Sequence, residues 1–192
     1  MLSNIKIELD CLNDMDLVLK SVSGDQAAFS IIVQRHKSKI AATVFGMLGE
    51  SMEAEDIGHE VFIRFYNSME NFRGESSLST YLTRIAINLS LNELKRRKKN
   101  IFKSFFNLNK KEISGDITGN NVQDFEIKEI IDKCISKLSP KLRSVVILRL
   151  VDHYSTEETA KILNLPVGTV LSRLARGQII LKKLLTPYRF DL

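Results

Sequence analysis

The sequence has no tryptophan, three prolines and two cysteines in 192 residues. Cys11 and Cys134 are too few for a disulfide framework or a thiolate zinc site, so both read as free thiols in a reducing cytoplasm. No apolar run approaches the roughly 20 residues of a membrane span, which argues against direct membrane insertion. The opening "MLSNIKIELDCLNDMD" is acidic and lacks the basic segment and apolar core of a secretory leader. Long β-branched alternations with hairpin turns are also missing, which points to an all-α fold. The enzyme motifs fail one by one. "HEVFI" begins like a zinc-protease helix, but the position four after His59 is Ile63. "GDITGNN" lacks the Gly-Lys-Ser/Thr end of a phosphate loop, and His36, His59 and His153 are scattered. No catalytic residue, metal ligand or cofactor is expected.

What is present is an ordinary globular composition, 44% hydrophobic, with an uneven charge. The formal net charge of +5 divides into −5 over residues 1–83, +8 over 84–111, −3 over 112–138 and +5 over 139–192. Two basic zones set apart by acidic ones suit a polyanion touched in two places, or cations that merely solvate helix ends.

Apolar periodicity organises the chain into two helical units. After a 1–24 N-terminal extension, Asp25 reads as a helix cap, and Phe29, Ile32, Val33, Ile40, Val44 and Met47 follow at helical spacing. Ser51 caps a second helix whose stripe is Ala54, Ile57, Val61, Phe62, Phe65 and Met69. The loop "NFRGESSLST" leads to a third helix through Leu78, Leu82, Ile85 and Leu89, ending in "KRRKK". Residues 25–100 thus form one small bundle. Residues 101–123 lose the periodicity and have the composition of a flexible linker. Residues 124–192 form a second helical domain, with Ser139-Pro140 as one helix start and Ser155/Glu158 as a capping box.

Within that domain, "AKILNLPVGTVLSRLARG" reads as helix, turn, helix. Asn164 tolerates a left-handed backbone, and Pro166 suits a helix start. Val170 and Leu174 share an inner face, while Thr169, Ser172, Arg173 and Arg176 share an outer one. Two arginines and two hydroxyls match the chemistry of base edges and phosphates in a major groove; a plain hairpin with a solvated basic face is the alternative. In "RGESSLSTYLTRIAINLSLNELKRRKK", Arg84, Asn88, Asn92 and Lys95 share a face that can bond unstacked bases, and Phe72 or Tyr81 offers a stacking surface. Five successive cations at the helix end exceed what its dipole needs.

Together these blocks resemble the extracytoplasmic-function (ECF) group of bacterial RNA polymerase sigma factors. "AEDIGHEVFIRFY" resembles the family's core-polymerase-binding helix, and the Phe72–Lys99 block its promoter-melting loop and −10-reading helix. "LSPKLRSVVILRLVDHYSTEETAKILNLPVGTVLSRLARG" resembles region four, which binds the −35 element. The resemblance implies that Asp56, His59, Glu60 and Phe62 dock on the β′ clamp helices of polymerase, with region four near the β flap. It implies −10 recognition and melting by Phe72, Arg73, Ser76, Ser77, Ser79, Thr80, Tyr81, Arg84, Asn88, Asn92 and Arg96. It implies −35 recognition by Thr169, Leu171, Ser172, Arg173 and Arg176. An anti-sigma factor is a further implied partner, beside duplex and melted promoter DNA. The chain departs from the family pattern at Tyr81 (often Trp), His59 (often Gln), Leu171 (commonly Lys) and Gly177 (usually Ala, so that glycine reads as loosening the helix end). A stand-alone helix–turn–helix regulator accounts for residues 160–177 but gives no role to the Ser-rich loop and basic helix. A two-bundle protein adaptor is a third reading.

Overall fold

The computed structural model describes residues 9–107 and 125–188, and all regular elements among them are helical. The first domain holds α1 (Asp14–Val22), α2 (Gln26–Leu48), α3 (Met52–Ser68), a 3-10 turn (Met69–Asn71) and α4 (Leu78–Asn107). The second holds α5 (Phe125–Ser136), α6 (Pro140–Val146) running into a π-helical turn (Ile147–Val151), α7 (Thr156–Leu163) and α8 (Val167–Leu185).

The helix starts follow the local chemistry of the sequence. Asp25 accepts from the backbone N–H groups of Ala27 and Ala28, and Ser51 accepts from Ala54. Each such cap is worth about 1 kcal/mol because it satisfies N–H groups that the helix cannot. Ile32, Ile40, Val44 and Met47 of α2 are buried with Val61 and Phe65 of α3 and Leu78, Leu82 and Ala86 of α4. Helix α1 joins the same core through Leu17 and Val18. It is tied to α2 by Asp14, which receives Arg35 at 2.6 Å and His36 at 3.0 Å. Burial holds the His36 imidazole below its ordinary pKa, and the neighbouring Asp14 carboxylate offsets part of that effect.

Helix α4 does not stop at "KRRKK" but runs to Asn107. Lysine and arginine are good helix formers and no glycine or proline intervenes, so nothing local ends it. The expected linker, 101–123, therefore begins as helix; residues 108–124 lie outside the described residues. The run "SVVILRLV" is helical as expected, but its last part widens into the π turn. That widening carries the chain through His153, at φ 57°, and presents Asp152 and Tyr154 to the first domain. The two helical domains read from the sequence share one apolar cluster, to which the second contributes Ile135, Leu138, Val146, Ile147, Leu148 and Ile162.

Candidate nucleic-acid interface

The hairpin α7–α8 is built by its ends. Ser155 and Glu158 form a reciprocal capping box, with bonds of 3.1 and 2.7 Å, that opens α7. Asn164 takes the left-handed conformation (φ 50°, ψ 55°), which closes α7 and turns the chain. Pro166 is the N-cap of α8. Ala160, Val170 and Val145 form a small buried cluster in the angle, with Leu163, Leu165 and Leu174 against it. This seat fixes which face of α8 points out. Leu171, Ser172 and Arg176 are exposed, and Thr169 and Arg173 are half-buried beside them. Leu171, 51% exposed, packs against nothing that would explain it as core. Neither arginine pairs with a carboxylate among the described residues. The face thus offers two unneutralised guanidinium forks, two hydroxyls and an exposed apolar tip.

The second surface lies where the Ser-rich loop enters α4. Gly74 takes φ +69°, a turn that a β-carbon would strain. Ser77 caps α4: its Oγ accepts from the Thr80 N–H at 3.2 Å and lies 2.9 Å from the Thr80 hydroxyl. Phe72 is buried, edge-on to Phe65 and Tyr81 at centroid distances of 6.2 and 5.3 Å. Phe72, Arg73, Ser76, Tyr81 and Arg84 converge on an open cleft of about 550 Å³. Asn88, Asn92 and Arg96 continue along exposed positions of α4. Three expected contact residues stand apart from the cleft. Ser77 serves as the cap, Thr80 is buried against it, and the Ser79 hydroxyl lies 3.0 Å from Tyr154 Oη of the second domain.

The third surface is a smaller apolar cleft of about 250 Å³ between α2 and α3. Phe62, His59, Gly58 and Ala54 line it from α3, with Ile40 and Phe45 opposite. Asp56 is exposed beside it, and Glu60 is half-buried and paired with Arg64 at 2.8 Å. The four expected polymerase-docking residues thus lie on or next to one cleft. Among the described residues, no group of three His, Cys, Asp or Glu side chains could hold a metal ion, and no helix is long and apolar enough to cross a membrane.

Residues 32–100 match Sigma-70 region 2, and residues 128–177 match Sigma-70, region 4. The chain is 36% identical to the ECF RNA polymerase sigma factor SigW of Bacillus subtilis over 168 residues, which is 83% of this chain and 90% of that protein. This chain belongs to the ECF RNA polymerase sigma factors. It is also 33% identical to the ECF RNA polymerase sigma-E factor of Escherichia coli over 87% of this chain and 91% of that one. The fold is that of two solved sigma-factor complexes. One is the sigma factor RpoE with the anti-sigma factor NepR from Bartonella quintana (TM-score 0.66, 20% identity, 84% of this chain and 98% of that one). The other is CnrH with the cytosolic domain of CnrY (TM-score 0.68, 21% identity, 92% and 99%).

In this sigma factor the basic end of α4 is not a free comb of cations. The buried Glu93 carboxylate accepts from Arg96 at 2.7 and 3.0 Å and from Arg97 at 3.1 Å. The Arg96 bonds chiefly, and Arg97 after burial's opposing effect, hold it below the usual carboxylate range. Arg97 also donates to the Leu48 carbonyl at 3.2 Å, at the C-terminus of α2 where cations are favoured. The Nε and one terminal nitrogen of the Arg96 guanidinium are therefore already engaged by Glu93.

Sequence reasoning missed three residues that shape these surfaces: Glu93, Tyr154 and Lys161. Glu93 was legible as the one carboxylate in a basic run at i−3 and i−4 from two arginines. Lys161, from α7, lines the α4 cleft across the domain boundary, and no local pattern reports that. Gly177 does not loosen the end of α8. It is buried beneath α6, where its lack of a side chain permits close approach.

Proposed function

We propose that this sigma factor directs core RNA polymerase to promoters through three surfaces with separate tasks. Asp56, His59, Glu60 and Phe62 dock on the β′ clamp helices, within a region two spanning residues 25–100. Arg73, Ser76, Tyr81 and Arg84, with Phe72 supporting the ring stack, receive unstacked bases of the melted −10 element. Ser77, Ser79 and Thr80 shape that loop, and Asn88, Asn92 and Arg96 follow the strand along α4. In region four, residues 124–192, Thr169, Leu171, Ser172, Arg173 and Arg176 read the −35 duplex from the major groove, near the β flap. The linker 101–123 spans the two.

The mechanism is differential binding. The α4 cleft takes splayed bases that a closed duplex does not present, so capture shifts the promoter toward its melted state. Arginine forks set register on phosphates and read guanine edges, which makes binding salt-dependent. The subunit works in the cytoplasm and contributes no catalytic group of its own. An anti-sigma factor is its proposed regulator, as NepR is the partner of RpoE in the Bartonella quintana complex.

The observation that carries this reading is the pairing of two unlike surfaces on one chain: the exposed face of α8 and the aromatic, basic cleft of α4. A stand-alone operator-binding regulator uses only the first. Run-off transcription decides: core polymerase with this protein should start RNA at a cognate promoter. Tight operator binding without polymerase, and no initiation with it, would reject the proposal.

A further inference from the structure

Five successive cations, Lys95 to Lys99, mark the basic end of α4, and one carboxylate stands behind two of them. Glu93 is 8% exposed, and both of its oxygens are used. Oε2 accepts from Arg96 Nε, while Oε1 accepts from Arg96 Nη2 and from Arg97 Nε. Arg97 turns further inward, since its Nη1 donates to the Leu48 carbonyl. The Arg96 side chain is 64% exposed, and its Nη1 takes no part in these bonds. Held below the usual carboxylate range, Glu93 is ionised at neutral pH. Lys95, Lys98 and Lys99 are exposed and enter no ion pair among the described residues. Glu53, at the start of α3, is exposed and acts on both arginines through space, without an ion pair.

Five cations are thus not five equal partners for phosphate. A phosphate meets in Arg96 a cation already compensated at 2.7 Å, and in Arg97 one that faces the protein. The attraction left to this helix end comes chiefly from the three lysines. Phosphate contacts carry no sequence information. Each one also counts for more on duplex, about 0.9 in the salt slope, than on a single strand, about 0.7. Compensating two cations therefore weakens the hold on duplex more than the hold on a melted strand. We propose that Glu93 is a specificity-determining residue: it compensates Arg96, turns Arg97 inward, and so limits the grip of α4 on DNA that has not melted. The proposal rests on the placement of α4 along the −10 strand, and the experiment separates the failure of one from the failure of the other.

Holoenzyme assembled from core polymerase and the full chain is titrated with a non-promoter duplex and with a promoter fork whose −10 element is single-stranded. Glu93→Gln releases both guanidinium groups and should tighten duplex binding. That advantage should shrink about threefold per released cation as salt rises from about 50 to about 200 mM. The fork should gain less, so the ratio of fork to duplex affinity falls. Glu53→Gln removes the same charge nearby but frees no donor, and should change the slope by less. Lys98→Ala removes an uncompensated cation and should lower the slope. Circular dichroism confirms folding, and Glu93→Met, an apolar replacement for a buried ion-paired side chain, serves in place of a Gln variant that fails it. Duplex binding that is unchanged or weaker in the folded Glu93 variant, or a fork that gains as much as the duplex, overturns the proposal. With a lowered slope in Lys98→Ala, that result leaves the −10 assignment standing. Equal slope changes in Glu53→Gln and Glu93→Gln also overturn it, because net charge alone would then suffice. An unmoved slope in Lys98→Ala rejects the placement of this end of α4 on DNA, and the proposal with it.

Discussion

A β-carbon on Gly177 would stand 2.7 Å from Cγ2 of Val146. Helices α6 and α8 therefore cross where only glycine fits, and Val146, buried and β-branched, has little freedom to yield. Gly177→Ala gains about 1 kcal/mol of helix propensity but meets an overpacking cost of about 1–3 kcal/mol, so a net loss of about 1 kcal/mol is expected. In a Val146→Ala background the same substitution should become neutral or stabilising. Urea unfolding of the four proteins measures the coupling; additive effects would show that the close approach carries no strain.

The exposed face of α8 predicts a division of labour among its residues. Arg176→Ala should weaken −35 duplex binding by about 1–3 kcal/mol, the worth of a good base contact, and leave polymerase affinity unchanged. Leu171→Ala should cost less and relax preference at one base pair, if its tip meets a thymine methyl. Gel-shift titrations against single-base variants of the duplex separate the two. A loss of polymerase binding in Arg176→Ala would reject that assignment.

The α2–α3 cleft predicts a charge effect on assembly. Asp56 is exposed, and no ion pair of the described residues includes it. Asp56→Lys should reduce polymerase affinity at least tenfold at low salt and leave the melting temperature within a degree or two, as expected of a surface change. Co-sedimentation with core enzyme reads the first and a thermal melt the second. Unchanged assembly places the docking surface elsewhere.

Acid should destabilise the fold in two separate windows. His36 is held below its ordinary 6.5, chiefly by burial against the partial offset of Asp14. The unfolded chain thus takes up that proton first, and stability declines as pH falls below about 6.5 until the folded ring is protonated too. Glu93 is held below its ordinary 4.5, chiefly by Arg96, so its contribution is complete above that value and is lost as pH falls through the folded one. Asp152, raised by burial, acts in the opposite sense and favours the fold as it protonates. Urea midpoints from pH 7.5 down to about 3, below the ordinary carboxylate range, should show the upper decline vanish in His36→Gln and the lower one shrink in Glu93→Gln. An unaltered upper limb in His36→Gln would assign it to another group.

Local chemistry made much of this protein legible. Asp25, Ser51, the Ser155/Glu158 box and Asn164 mark helix ends through bonds to neighbours two to four residues away, and the structure uses each of them. Apolar spacing likewise chose the inner faces, because one buried stripe per helix is what a bundle needs. The outward position of Leu171, Ser172 and Arg176 follows from the burial of Val170 and Leu174 on the opposite side. The ending of α4 was less legible, since a basic run without a breaker has no local reason to stop.

The sequence by itself determined most of the helices, their order and the two basic zones, because these rest on short-range spacing, and its motifs carried the resemblance to the family; α1, within the expected 1–24 extension, was not read from it. Only the tertiary structure decided how those pieces meet. Gly177 became a site of close approach because α6 lies over it. Lys161 joined a cleft built by residues about 80 positions away, and Tyr154 found Ser79 and Thr83 across the domain boundary. Such contacts depend on the three-dimensional path of the backbone, here redirected by one π turn, and periodicity along a helix carries no record of that path.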